Sequence, residues 1–142
     1  MAGGGFPSGD LKMKYWTCLA FAALAFPAVA SAQNWKTAKR IDIDLADFKY
    51  TPNRIVLRHG QPYILHFVNR ARGGHDFSAK SFFSAAQISP GDRAKAYRGK
   101  VQLRGGESAD IRVIAPAVAN YDVHCSHFMH DTFGMTGVIA VQ

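Results

Sequence analysis

The sequence predicts an all-β fold, a Greek-key β-sandwich with a short helical or loop insertion near residues 81–98. Three observations carry this. Short stretches of alternating apolar and polar residues recur between residues 41 and 141. Gly, Pro and Asn turn signals separate them at regular intervals. No long amphipathic helix lies between them, which argues against a βαβ arrangement.

Along the chain, Ile41, Ile43 and Leu45 alternate with Asp42, Asp44 and Ala46, the period-two pattern of a half-buried strand. Thr51-Pro52-Asn53 interrupts it. Residues 54–58 then place Ile55 and Leu57 on one face, and His59-Gly60-Gln61-Pro62 turns the chain. Residues 63–69 (YILHFVN) form a strongly apolar third strand. Beyond Gly73-Gly74 the alternation stops. Residues 81–87 (SFFSAAQ) fit one or two helical turns, closed by Ser89-Pro90-Gly91-Asp92. Strands resume at 100–103, 110–114, 121–125 and 135–141, separated by Gly105-Gly106 and Ala115-Pro116. About seven antiparallel strands result, an ordinary number for such a sandwich. No low-complexity tract or internal repeat is visible.

The first 32 residues read differently. Lys12 and Lys14 precede an apolar run, residues 15–29, that ends in Ala30-Ser31-Ala32. A basic start, a short apolar stretch and a small-x-small site make residues 1–32 a secretory signal peptide, with Met13 an alternative start. A membrane anchor fits less well, since the run is shorter than the roughly 20 residues needed to span a bilayer and contains Pro27. The remaining domain, 33–142, is expected in the periplasm or outside the cell, with no stable membrane insertion. The chain carries a net charge of +7, its basic residues scattered rather than gathered in a run. An acidic partner or an anionic surface suits that charge, while export argues against nucleic acid.

Cleavage would remove Cys18 and leave Cys125 as the domain's one thiol. A lone thiol in an oxidising compartment makes no internal disulfide and is open to oxidation. A bound metal would both protect it and use it. Cys125 opens the segment CSHFMHDTFGM, which holds His127, Met129, His130 and Met135 within residues 125–135. Thiolate, imidazole and thioether are soft to borderline ligands that suit copper cycling between Cu(I) and Cu(II). A further ligand from a distant strand would fix the geometry, and His75, after Gly73-Gly74, is the candidate.

Two motifs resemble the cupredoxin family, the small blue copper proteins of the plastocyanin, azurin and rusticyanin type. One is the phrase NRARGGHDF, residues 69–77, with His75 in the place of the first copper ligand. The other is Tyr121-x-Val-x-Cys125-x4-His130-x4-Met135-x-Gly137-x-Ile139-x-Val141, whose ligand spacing is similar to that of rusticyanin. The likeness runs in outline from Asp47 to the C-terminus, and the second motif is much the more specific. It implies one copper ion held by His75, Cys125, His130 and Met135, a two-sheet sandwich, and one-electron transfer with a redox partner protein by a monomer. An enzyme is not expected: multicopper oxidases place His after the Cys, where this chain has Ser126, and the binuclear centre of cytochrome oxidase needs a second Cys. A copper delivery or resistance protein is the alternative function, favoured by the extra His127 and Met129.

Two departures from the family stand out. Asp76 follows the first ligand where relatives often have Asn, whose hydrogen bond to the residue after Cys ties the two ligand loops together; Asp76 and Ser126 are expected to keep that bond, and the carboxylate to favour Cu(II). The loop also lacks the Pro that many relatives carry between Cys and His. His127 rivals His130, which keeps the spacing to Met135. His124 is expected on the opposite face of its strand from Cys125. Met129 reads as loop packing, His59 and His66 as structural, and Phe128 and Phe133 as a shield against water and a docking area around His130.

Overall fold

The computed structural model describes residues 1, 3–5, 34–129 and 132–142. The chain divides into units at 1–31 and 32–142. The segment expected to be a signal peptide, Cys18 included, lies outside the described residues apart from 1 and 3–5, as do His130 and Asp131.

After a 3-10 turn at Trp35–Thr37, strand β1 (Lys39–Ala46) turns through Asp47-Phe48 into β2 (Lys49–Thr51). Then come β3 (Arg54–Leu57), β4 (Pro62–Asn69), β5 (His75–Ser78), helix α1 (Lys80–Ala85), β6 (Gln87–Ile88) and a kinked 3-10 segment, Pro90–Gly99. The chain closes with β7 (Lys100–Leu103), β8 (Ser108–Ile114), β9 (Ala119–His124) and β10 (Thr136–Val141). The strands form two five-stranded sheets, β2-β1-β4-β8-β6 and β3-β10-β9-β5-β7. Alternation explains their packing. In β4 the buried positions are Tyr63, Leu65, Phe67 and Asn69, every second residue. Ile43, Leu45, Leu65, Phe67, Ile111 and Val113 of the first sheet face Ile55, Leu57, Phe77, Val101, Val123 and Ile139 of the second in one apolar core.

The β-sandwich is as predicted, with two differences. The sheets are mixed rather than antiparallel: β1 runs parallel to β4, and β3 parallel to β10. Both parallel partners are far apart in sequence, so neither pairing leaves a local signal such as a hairpin turn. Ten strands, rather than about seven, are also present among the described residues. The unforeseen ones are short (β2, β6) or buried on both faces (β5), so none alternates over enough residues to be read.

The insertion near 81–98 resolves into α1, β6 and the 3-10 segment. Helix α1 has six residues, too few to hold itself together, and depends on burying Phe82 and Phe83, with Phe82 edge-on to Tyr121 at 5.6 Å. The 3-10 segment is pinned by buried Asp92, which accepts hydrogen bonds from Arg112 N (3.1 Å), Nε (2.7 Å) and Nη2 (3.2 Å) and from Lys95 Nζ (2.8 Å). Burial alone would push the Asp92 carboxyl up, but these donors outweigh it and hold it down at about 2. The carboxyl is therefore lower in the folded than in the unfolded chain. Its stabilisation is complete above about pH 4 and is lost as pH falls towards 2. Asp92→Ala is expected to cost about 2 kcal/mol at neutral pH by urea denaturation, a deficit that closes in acid.

Candidate metal centre

The site lies at one end of the second sheet, where β9 leaves and β10 returns. Cys125 directly follows β9, Met135 directly precedes β10, and the Cys125 N–H donates to the Met135 carbonyl at 3.1 Å. The loop between them is thus closed at its base like a hairpin. Strand β5 runs antiparallel alongside, with Ser78 opposite His124. Continuing that register sets Asp76 beside Ser126 and His75 beside His127. The contacts agree: Asp76 Oδ1 accepts from Ser126 N at 2.9 Å, the Ser126 hydroxyl and Asp76 Oδ2 are 2.5 Å apart, and the His75 and His127 rings are 6.3 Å apart.

His75, Cys125 and Met135 are buried, with exposures of 2%, 1% and 0%. Ligand atoms of Asp76, Cys125 and His127 lie within 4.8 Å of one another. A buried thiol, thioether and imidazole at one sheet end, with carboxylate and imidazole beside them, fit a soft to borderline metal such as copper. The predicted His75, Cys125 and Met135 are therefore gathered at one end of the sandwich, with His127 beside them. His130 lies outside the described residues. The expected Asp76–Ser126 tie is present.

Supporting residues fix these side chains. His75 Nε2 is 3.2 Å from Asp47 Oδ1, in the β1–β2 turn. A carboxylate there favours the tautomer with the proton on Nε2, which leaves the Nδ1 lone pair for a metal. The next residue, Phe48, adopts φ 60° and sets its ring edge-on to Phe133 at 5.5 Å. Tyr50 donates to the Asp76 carbonyl at 2.6 Å. Burial pushes its phenol up, and the nearby Cys125 and Asp76 add to the shift, so Tyr50 stays neutral. Lys100 Nζ is 3.2 Å from the Ser126 hydroxyl and 3.8 Å from Asp76 Oδ2. Asp47, Tyr50 and Lys100 were not foreseen, because their roles depend on which strands lie side by side.

Other expectations can be placed. Val123 and Cys125 face the core while His124 is half-buried on the other face. His59 Nδ1 bonds the Pro116 carbonyl at 2.7 Å and His66 Nδ1 bonds Asp110 at 2.6 Å, both structural contacts. Phe128 and Phe133 do not form a buried shield: they are 89% and 60% exposed, because the loop that carries them rides at the rim of the sandwich.

The loop after β4, which leads to His75, is held by buried Asn69, whose Nδ2 donates to the Gly73 and Leu103 carbonyls at 2.8 and 3.2 Å. Opposite it, a Cβ on Gly105 would fall 2.1 Å from the Arg72 carbonyl oxygen. Only glycine permits that approach. Gly105→Ala is expected to lower stability by about 2–3 kcal/mol and to loosen the His75 loop. Hydrogen exchange at residues 70–75, faster than wild type, would register it.

A two-sheet sandwich with sulfur and imidazole ligands gathered at one end is the architecture of small copper-binding proteins. Residues 37–142 match the plastocyanin/azurin family of copper binding proteins, and the chain belongs to that family. Solved structures share the fold. Reduced auracyanin from the photosynthetic bacterium Roseiflexus castenholzii is 19% identical, with a TM-score of 0.54 over 74% of this chain and 98% of that one. McoA, a multicopper oxidase from the hyperthermophile Aquifex aeolicus, is 18% identical, with a TM-score of 0.60 over 78% of this chain and 30% of that one. No curated protein matches the chain in sequence.

Proposed function

We propose that the protein is an exported one-electron carrier holding a single copper ion through His75, Cys125, His130 and Met135. The observation that carries this reading is the burial of Cys125 and Met135, joined backbone to backbone at the sheet end that also holds His75. Bound copper would supply the one-electron couple. The chain's own residues do the rest. Asp47 orients the His75 ring, Asp76 ties the β5 end to the Cys125 loop, and the apolar core on the inner side excludes water. Ligands that are rigidly held need little rearrangement between oxidation states, which is what fast electron exchange demands. The exposed Phe128, Phe133, Phe48 and Met129 offer an apolar docking area at the rim for a redox partner protein. Residues 1–32 would act as the export signal, with the domain at 33–142 working as a monomer in the periplasm or outside the cell.

The test is a visible absorption spectrum after addition of one equivalent of Cu(II). An intense thiolate-to-copper band that disappears on reduction is expected. His130→Ala should lose the band and His127→Ala should retain most of it; the reverse result would move the second imidazole ligand to His127. A copper delivery role is the second reading, favoured by His127 beside Cys125 and by exposed Met129. Rapid copper loss to a chelator with slow electron exchange would select it.

A further inference from the structure

The outer face of the second sheet, away from the core, carries a cavity of about 220 Å³ lined by Ser78, Lys80, Arg98, Lys100, His124 and Ser126. The geometry points to this cavity as a binding site for a small oxyanion of the phosphate class. Three cations converge on it. Lys100 is partly balanced by Asp76 at 3.8 Å, but among the described residues no ion pair engages Lys80 or Arg98. Three cations against one neighbouring carboxylate leave this concave site net positive, which attracts anions.

Two further features point the same way. Ser78 is fully buried, and its hydroxyl has no hydrogen-bond partner in the protein. Buried hydroxyls are almost always satisfied, and this one lines the cavity, where it can donate to an oxyanion. The backbone is also held in an unusual form to bring the cations together. Arg98 sits at φ 55° and Gly99 at φ 78°, two consecutive left-handed residues that break the 3-10 segment. A Cβ on Gly99 would fall 2.7 Å from Lys80 Cα, so glycine lets the Arg98 and Lys80 walls meet. A non-glycine residue at positive φ is strained, and here the strained residue is one that lines the cavity. The site is separate from the proposed electron-transfer role and survives its failure.

The test is a titration of ¹⁵N-labelled full chain with inorganic phosphate at constant ionic strength, under reducing conditions that keep any bound copper as diamagnetic Cu(I). Saturable shifts at the amides of Ser78, Lys80, Gly99 and Lys100 are expected. Lys80→Gln should weaken phosphate binding about tenfold, the worth of one charged hydrogen bond. Arg98→Gly should weaken it similarly while keeping or raising the melting temperature, since its backbone suits glycine. Ser78→Ala should also weaken it. Shifts of equal size with chloride, shifts centred elsewhere, or unchanged affinity in Lys80→Gln and Arg98→Gly would each overturn the assignment.

Discussion

Replacing Cys125 by Ser is expected to abolish the intense visible absorption of the copper-loaded protein and to weaken copper binding more than about a hundredfold. The lower bound follows from metal sites in general, where even residues behind the ligands are worth 10–100-fold. Serine is close to cysteine in shape, so the site at the end of β9 keeps its packing. The new hydroxyl sits where the thiol was 1% exposed, a burial that costs about 1–2 kcal/mol. Loss of the spectrum should therefore come with a metal-free variant that still unfolds cooperatively. An unchanged band in Cys125→Ser would sink the thiolate assignment and the electron-carrier reading with it.

Asp76→Asn is expected to raise the reduction potential by on the order of 50–100 mV. The Asp76 carboxylate lies within 4.8 Å of the Cys125 sulfur. A unit charge at about 5 Å in a medium of effective dielectric near 20 is worth about 3 kcal/mol, or roughly 140 mV for a one-electron couple. Lys100, 3.8 Å from the same carboxylate, offsets part of it. Asparagine keeps an oxygen for the Ser126 N–H, so the tie between the loops survives and the charge alone is removed. Asp76→Ala removes both, and its spectrum should broaden as the loops separate. A potential unmoved in Asp76→Asn, measured by redox titration followed at the visible band, would show that this charge does not reach the metal.

Legibility in the sequence followed burial. Strands β1, β4 and β9 each have one core face and one face towards solvent, so alternation reveals them. Strand β5 has all four residues buried, three of them polar, and its stability comes from Ser126, Asp47 and neighbouring strands rather than from its own pattern. The candidate metal-binding residues were visible because Cys and Met are scarce, and two of them at a fixed spacing are conspicuous. The residues that hold them were not. Asp47 resembles any turn acid and Lys100 any strand lysine until the fold sets them beside His75 and Ser126. The aromatics of the ligand loop misled for the opposite reason: Phe128 and Phe133 have the composition of a core but stand on a rim, where no second layer covers them.

The parallel pairing of β3 with β10 joins two stretches of chain that lie far apart in sequence. Strand β10, the last in sequence, lies between β3 and β9 inside its sheet. Until residues 136–141 are in place, β3 has no neighbour and the base of the Cys125 loop stays open. The β3–β10 pairing is long-range and is expected to make folding slow, in the range of about milliseconds to seconds, whereas the base of the Cys125 loop closes through the local β9–β10 hairpin. Cys125, 1% exposed in the folded chain, is an accessible thiol whenever the sheet is open. Oxidative damage at this cysteine should therefore track the time spent unfolded, and a metal that binds as the last strand docks would act as the latch.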